Sequence, residues 1–150
     1  MKGKLSWSIF WALVGVFIVL VGTMACSALL LPSLRGVYMG VVFSSAALLL
    51  LLGITFLVLT IKGKTKGISR KFQLLTGASA IGIPVSILLH NAIYGLFIHF
   101  FGAEFWNGGD EPVFFILAII VCPIGFLVGA VGSIVLAIKN RQVKQFNRSI

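Results

Sequence analysis

Four long apolar runs, residues 5–31, 37–61, 72–101 and 113–138, make up most of this chain, and the connections between them are short. Each run exceeds the roughly 20 apolar residues that an α-helix needs to cross about 30 Å of hydrocarbon. No water reaches backbone N–H and C=O groups inside a bilayer, so such a segment pairs them internally and is helical. The expected fold is an all-α integral membrane protein, a four-transmembrane-helix bundle forming one domain over residues 1–150. The two longest connections, 62–71 and 102–112, are too short to fold alone, so no soluble catalytic module is attached. Composition agrees: 59% of the residues are hydrophobic and 10% charged, where soluble domains carry about 25% charged residues.

Charge is distributed just as unevenly. Of the 12 basic residues, all but Arg35 lie before the first run (Lys2, Lys4), between the second and third (Lys62, Lys64, Lys66, Arg70, Lys71), or after the fourth (Lys139, Arg141, Lys144, Arg148). The acidic residues, Glu104, Asp110 and Glu111, share the connection 102–112. Lys and Arg are retained on the cytoplasmic side of a membrane. The pattern predicts both termini and loop 62–71 in the cytoplasm, loop 102–112 outside, and a multi-pass protein of the plasma or inner membrane. Trp7 and Trp11 then anchor the inner interface, and Phe105 and Trp106 the outer one. The net charge of +9 is spent at helix ends, where each Lys or Arg gains roughly 1 kcal/mol against anionic headgroups. Anionic lipid at the cytoplasmic face is the expected partner, and nucleic acid is not.

Lys2 and Lys4 before an apolar run resemble the start of a signal peptide, and Thr23-Met-Ala-Cys26 a degenerate lipoprotein cleavage box. The run is longer than a signal core of about 7–15 residues, so the expectation is a retained span. Cys26 and Cys122 sit at depths that differ by roughly 7 Å at 1.5 Å per residue, which makes two free thiols the expected state.

Lipid tails are as apolar as leucine, so helices associate in membranes through close backbone contact at small residues. The second run opens Gly36-x-x-x-Gly40-x-x-x-Ser44, and the fourth carries Gly125-x-x-x-Gly129-x-x-x-Ser133; both stripes are expected to pack tightly against other helices. The third run offers Ala78, Gly82 and Ser86 at the same spacing. Pro84 and Pro123 each remove one helical hydrogen bond and are expected to kink the third and fourth helices.

The polar residues inside the third run are the candidates for chemistry. His90 and Tyr94 stand one turn apart on one face with Asn91 beside them, a candidate ligand-binding cluster or an interhelical polar clamp. His90 and His99 are nine residues apart, hence on opposite faces and about 13 Å apart along the axis; they do not share a metal, and no facing histidine exists for haem. No cofactor is implied. A weaker candidate is a metal site formed by His99, Glu104, Asp110 and Glu111, whose alternative is a helix start at Asp110-Glu111-Pro112 with acidic groups at the positive dipole end. Loop 102–112 reads as an amphipathic re-entry along the outer interface, able to lie over His90.

No Asp, Glu, Lys or Arg lies within the runs, and no nucleophile elbow, phosphate loop or two-cysteine redox pair is present. Coupled transport and enzymatic catalysis are therefore disfavoured. The leading expectation is an accessory or stabilising subunit of a larger or homo-oligomeric membrane complex, partnered by other membrane subunits or by itself. The alternatives are a lipid-, quinone- or small-solute-binding carrier built on the third-run polar cluster, and a metal-dependent membrane enzyme at the outer surface.

Overall fold

The computed structural model describes residues 2–26, 35–63, 66–106, 109 and 111–149. These form α1 (Lys2–Cys26), α2 (Arg35–Lys62), α3 (Ile68–Phe101), a 3-10 turn (Ala103–Trp106), α4 (Pro112–Ile116), a π-helical turn (Leu117–Val121) and α5 (Cys122–Ser149). Four stretches are long and apolar enough to cross a membrane: Leu5–Cys26, Gly36–Lys62, Ile68–Phe101 and Pro112–Asn147. Residues 27–31 of the first apolar run lie outside the described residues. The fourth helix runs past Ile138 because the Lys-, Arg- and Gln-containing segment that follows holds no proline or glycine and suits a solvated helix.

Consecutive helices pack side by side: α1 on α2, α2 on α3, and α3 on α5, with α3 in the middle. The core side of α1 is the row Phe10, Leu13, Phe17 and Leu20, all buried, at the 3-4-3 spacing that keeps one helix face inward. Phe10 meets Phe56 of α2 with ring centroids 5.9 Å apart. Phe17 stacks on Phe126 of α5 at 4.2 Å and 21°. That second contact joins α1 to α5.

Glycines set how closely α3 meets its neighbours. A Cβ at Gly129 would stand 2.6 Å from Thr76 Oγ1, 2.7 Å from Thr76 N and 2.9 Å from Phe72 O. At Gly125 it would stand 2.6 Å from Ser79 Oγ, and at Gly82 2.6 Å from Cys122 Sγ. The α2–α3 contact is looser, with 3.0 Å from a Cβ at Gly53 to Ile81 Cγ1. Thr60 and Thr76 donate to the carbonyls of Phe56 (2.8 Å) and Phe72 (2.9 Å) in their own helices, which satisfies these buried hydroxyls. Ser133 ends the α5 stripe 2% exposed, and its hydroxyl has no hydrogen-bond partner. Its small size, not its hydroxyl, is what the packing uses.

The two prolines are accommodated differently. Pro84 lies inside α3, which is helical from Ile68 to Phe101. Pro123 follows the π turn, in which the Cys122 N–H reaches Leu117 O instead of the carbonyl four residues back. A proline supplies no N–H and its ring crowds the carbonyl of residue i−4, here Ile119. Widening the preceding turn relieves that crowding, a common origin of π bulges.

Substituting the glycines tests the packing. Gly129→Ala places its methyl against backbone of α3 and is expected to destabilise the protein by about 1–3 kcal/mol. Gly40→Ala enters open space and is expected to be neutral or to add up to about 1 kcal/mol through helix propensity. Denaturant titration of the monomeric protein in mild detergent reads both; equal effects would contradict the packing described.

Candidate functional site

The last three turns of α3 carry His90, Asn91 and Tyr94, and the chain then folds back over them. Gly102 makes the reversal possible: its φ of 87° lies in the left-handed region that side chains disfavour, and its N–H bonds to Ile98 O at 2.9 Å. The 3-10 turn Ala103–Trp106 lays Trp106 on Tyr94, with centroids 6.0 Å apart and planes 25° apart, and beside Phe97 at 5.5 Å. Phe101 and Phe105 extend this cluster. Aromatic residues grouped at one end of a bundle are what a membrane–water interface favours.

Glu111 closes the fold-back. It is the N-cap of α4, with Pro112 at the first helical position, and it is 4% exposed. Its carboxylate accepts the Val113 N–H through Oε1 (2.8 Å) and the Phe114 N–H through Oε2 (2.9 Å). Those are two of the donors that a helix start leaves unpaired. Burial alone raises this carboxyl's pKa, but the two backbone N–H bonds, together with the hydrogen bond and charge of His90, outweigh it and hold the group below the ordinary value of 4.5.

His90 is the other half of the closure. Its Nδ1 lies 3.0 Å from the Glu111 backbone oxygen and 3.4 Å from Oε2. Both neighbours are acceptors, so Nδ1 carries the proton and donates. The ring stacks on Tyr94 (centroids 6.5 Å, planes 18° apart) and tilts against Phe115 at 5.6 Å. The cluster thus joins α3, the 3-10 turn and α4 through the His90–Glu111 contacts and the rings of Tyr94, Trp106 and Phe115.

Not every candidate joins it. Asn91 is exposed, and its Nδ2 donates back to Ile87 O at 2.8 Å. His99 is exposed with its ring against Phe100, and Glu104 is exposed. Asp110 lies outside the described residues. Among the described residues no three His, Cys, Asp or Glu side chains converge as metal ligands. Glu111 goes instead to the helix cap and His90, the geometry that its place before Pro112 permits. Of the small-residue stripes, Gly125 and Gly129 face α3 and Ser133 is buried, whereas Gly36, Gly40 and Ser44 are exposed and no atom of the described residues comes within 4 Å of a Cβ built on either glycine.

One feature lies beyond the reach of sequence reading. An apolar cleft of about 270 Å³ opens between α1, α3 and the π turn, lined among others by Phe17, Met24, Ile87, Ala118 and Pro123. Each lining residue reads from sequence as ordinary membrane-span composition; only the placement of three helices makes a cleft of them. Comparison with protein-family models, with curated proteins and with solved structures finds no match for the chain.

The cap has a pH signature. A carboxyl held below 4.5 in the folded protein stabilises it above that pH, and the contribution fades as pH falls through 4.5 and below. Thermal unfolding in detergent between about pH 5 and pH 3 is therefore expected to fall more steeply in the wild type than in Glu111→Gln. At neutral pH, His90→Leu is expected to cost roughly 1–2 kcal/mol by removing one partly buried hydrogen bond. His99→Leu, at an exposed ring, is expected to cost little.

Proposed function

We propose that this chain is a multi-pass membrane protein that acts by association, as an accessory or stabilising subunit of a larger or homo-oligomeric membrane complex. One observation carries the reading. Of the two Gly-x-x-x-Gly stripes only one is used internally: Gly125 and Gly129 bring α5 against α3, while Gly36-Gly40-Ser44 is exposed along α2. On the helix wheel the exposed stripe continues to Ala47 and lies opposite the row Ser45, Leu49, Phe56 and Thr60 that α2 buries. A smooth, glycine-rich face directed at lipid is the surface on which another transmembrane helix gains close contact.

The site chemistry weighs the same way. His90, the strongest polar candidate for ligand binding, is engaged with Glu111, and Glu111 with the start of α4. These groups hold the bundle's end together, which favours a structural protein over a carrier or a metal enzyme. The orientation that the basic residues favour places both termini in the cytoplasm of a cell whose plasma or inner membrane holds the protein.

Association is tested by mass determination in mild detergent and by identifying what co-purifies from native membranes. A complex larger than the monomer is expected. Leucine at both Gly36 and Gly40 is expected to weaken it about tenfold or more, the equivalent of about 1.4 kcal/mol. A monodisperse monomer without partners would overturn the proposal. Orientation is tested separately by single-cysteine labelling in a background lacking Cys26 and Cys122. A probe at Asn107 should react from outside the cell and one at Thr65 should not, and the reverse pattern would invert the topology.

A further inference from the structure

We propose that the cleft between α1, α3 and the π turn is a lipid site that holds one acyl chain of a glycerophospholipid, with the lipid's ester carbonyl bound by Asn91. The inference rests on the membrane-spanning reading but not on association, and concerns a different face of the protein.

The depth of the cleft favours this occupant. Lys71 and Asn91 are 20 residues apart on α3, a rise of roughly 30 Å and about one hydrocarbon thickness. With the Lys71 end at one interface, Asn91 and the neighbouring His90–Glu111 contact lie at the other, where lipid ester groups are found. Ile83 and Ile87, which line the cleft on α3, then stand within the hydrocarbon just below. The described residues of the lining are all apolar, so they offer water none of the two to four polar partners that it requires. A hydrocarbon chain gains dispersion contacts on every side of such a cleft.

Size and shape narrow the choice. At about 270 Å³ the cleft is just under the roughly 300 Å³ at which small-molecule pockets begin. It suits a single chain with its headgroup left outside. The π turn contributes two of the wall residues, Ala118 and Ile119, and Pro123 a third. Because Pro123 brings no N–H, the ladder is one donor short beside those residues. The wall of the cleft is therefore where the fourth helix departs from regular α geometry.

Asn91 gives the site its polar end. It stands one turn beyond Ile87 on α3 and is exposed. A carboxamide has two N–H donors and a carbonyl acceptor. The bond from Nδ2 to Ile87 O at 2.8 Å fixes its orientation and uses one of the two donors. The second donor is available to an ester carbonyl. One polar group beside an apolar slot is the usual composition of a site for an amphiphile.

The test uses the full chain in phosphatidylcholine vesicles doped with phosphatidylcholine that carries a diazirine midway along one acyl chain. After photolysis, mass spectrometry of peptides is expected to find Val21, Ile87 and Ala118 labelled about tenfold above Leu48 and Val131, exposed positions of the lipid-facing surface. Ala25→Phe, at the exposed rim on α1, should lower cleft labelling about tenfold. Met24→Phe serves in its place should that variant lose its helical circular dichroism. Asn91→Leu should lower it about threefold, the effect of one intramembrane hydrogen bond, and Leu48→Phe should leave it unchanged. Labelling spread evenly over cleft and surface, or unaffected by filling the rim, would overturn the acyl-chain site. Unchanged labelling in Asn91→Leu would overturn the assignment of the ester contact.

Discussion

The close approach of α3 and α5 is the contact on which the remaining architecture depends. Lipid offers no hydrophobic gain for pressing two apolar helices together, so their association relies on contact area at short range. Gly125 and Gly129 supply it by bringing the backbone of α5 within reach of Phe72, Thr76 and Ser79, where no methyl group would fit. α3 then serves as the central post: α2 lies against its other side through Gly53 and Gly77, and α1 reaches the assembly through α2 and through Phe17 on Phe126. Fixing α3 against α5 also places Glu111 beside His90, since both residues stand near the same end of that helix pair.

The end of the bundle shows how one acidic residue resolves two problems. A helix that begins next to a membrane leaves N–H groups unpaired, and a histidine on α3 needs an acceptor. Glu111 answers the first with its carboxylate and the second mainly with its backbone carbonyl. A titratable pair in such a place reads at first sight as a catalytic or proton-handling site. Its geometry is that of a clasp, in which Trp106, Tyr94 and Phe115 surround the contact and fold the connection onto α3.

The two Gly-x-x-x-Gly stripes meet different fates, and the difference follows from how α2 is used. Its inward face, with Ser45, Leu49, Phe56 and Thr60, is buried, and among the described residues no helix covers Gly36, Gly40 and Ser44. The cleft arises elsewhere, between α1, α3 and the π turn. α1 packs mainly on α2 and stacks Phe17 on Phe126 of α5, and a gap opens beside the π turn, where Ala118 is small. The exposed α2 stripe and the cleft are lined by different residues.

The four long apolar helices and their all-α character were legible in the sequence, because apolar runs longer than a bilayer is thick admit one backbone solution. Glu111 was legible as a helix start from its place before Pro112. His90 was legible as a polar group in need of a partner, but its partner was not, since Glu111 is 21 residues away across a connection. Which stripe would pack and which would stay open depended on the order of helices around α3, and spacing within one helix carries no information about its neighbours. The cleft was wholly a product of tertiary structure: its apolar residues are interchangeable with any others in a membrane span until three helices and one widened turn bring them round a common space.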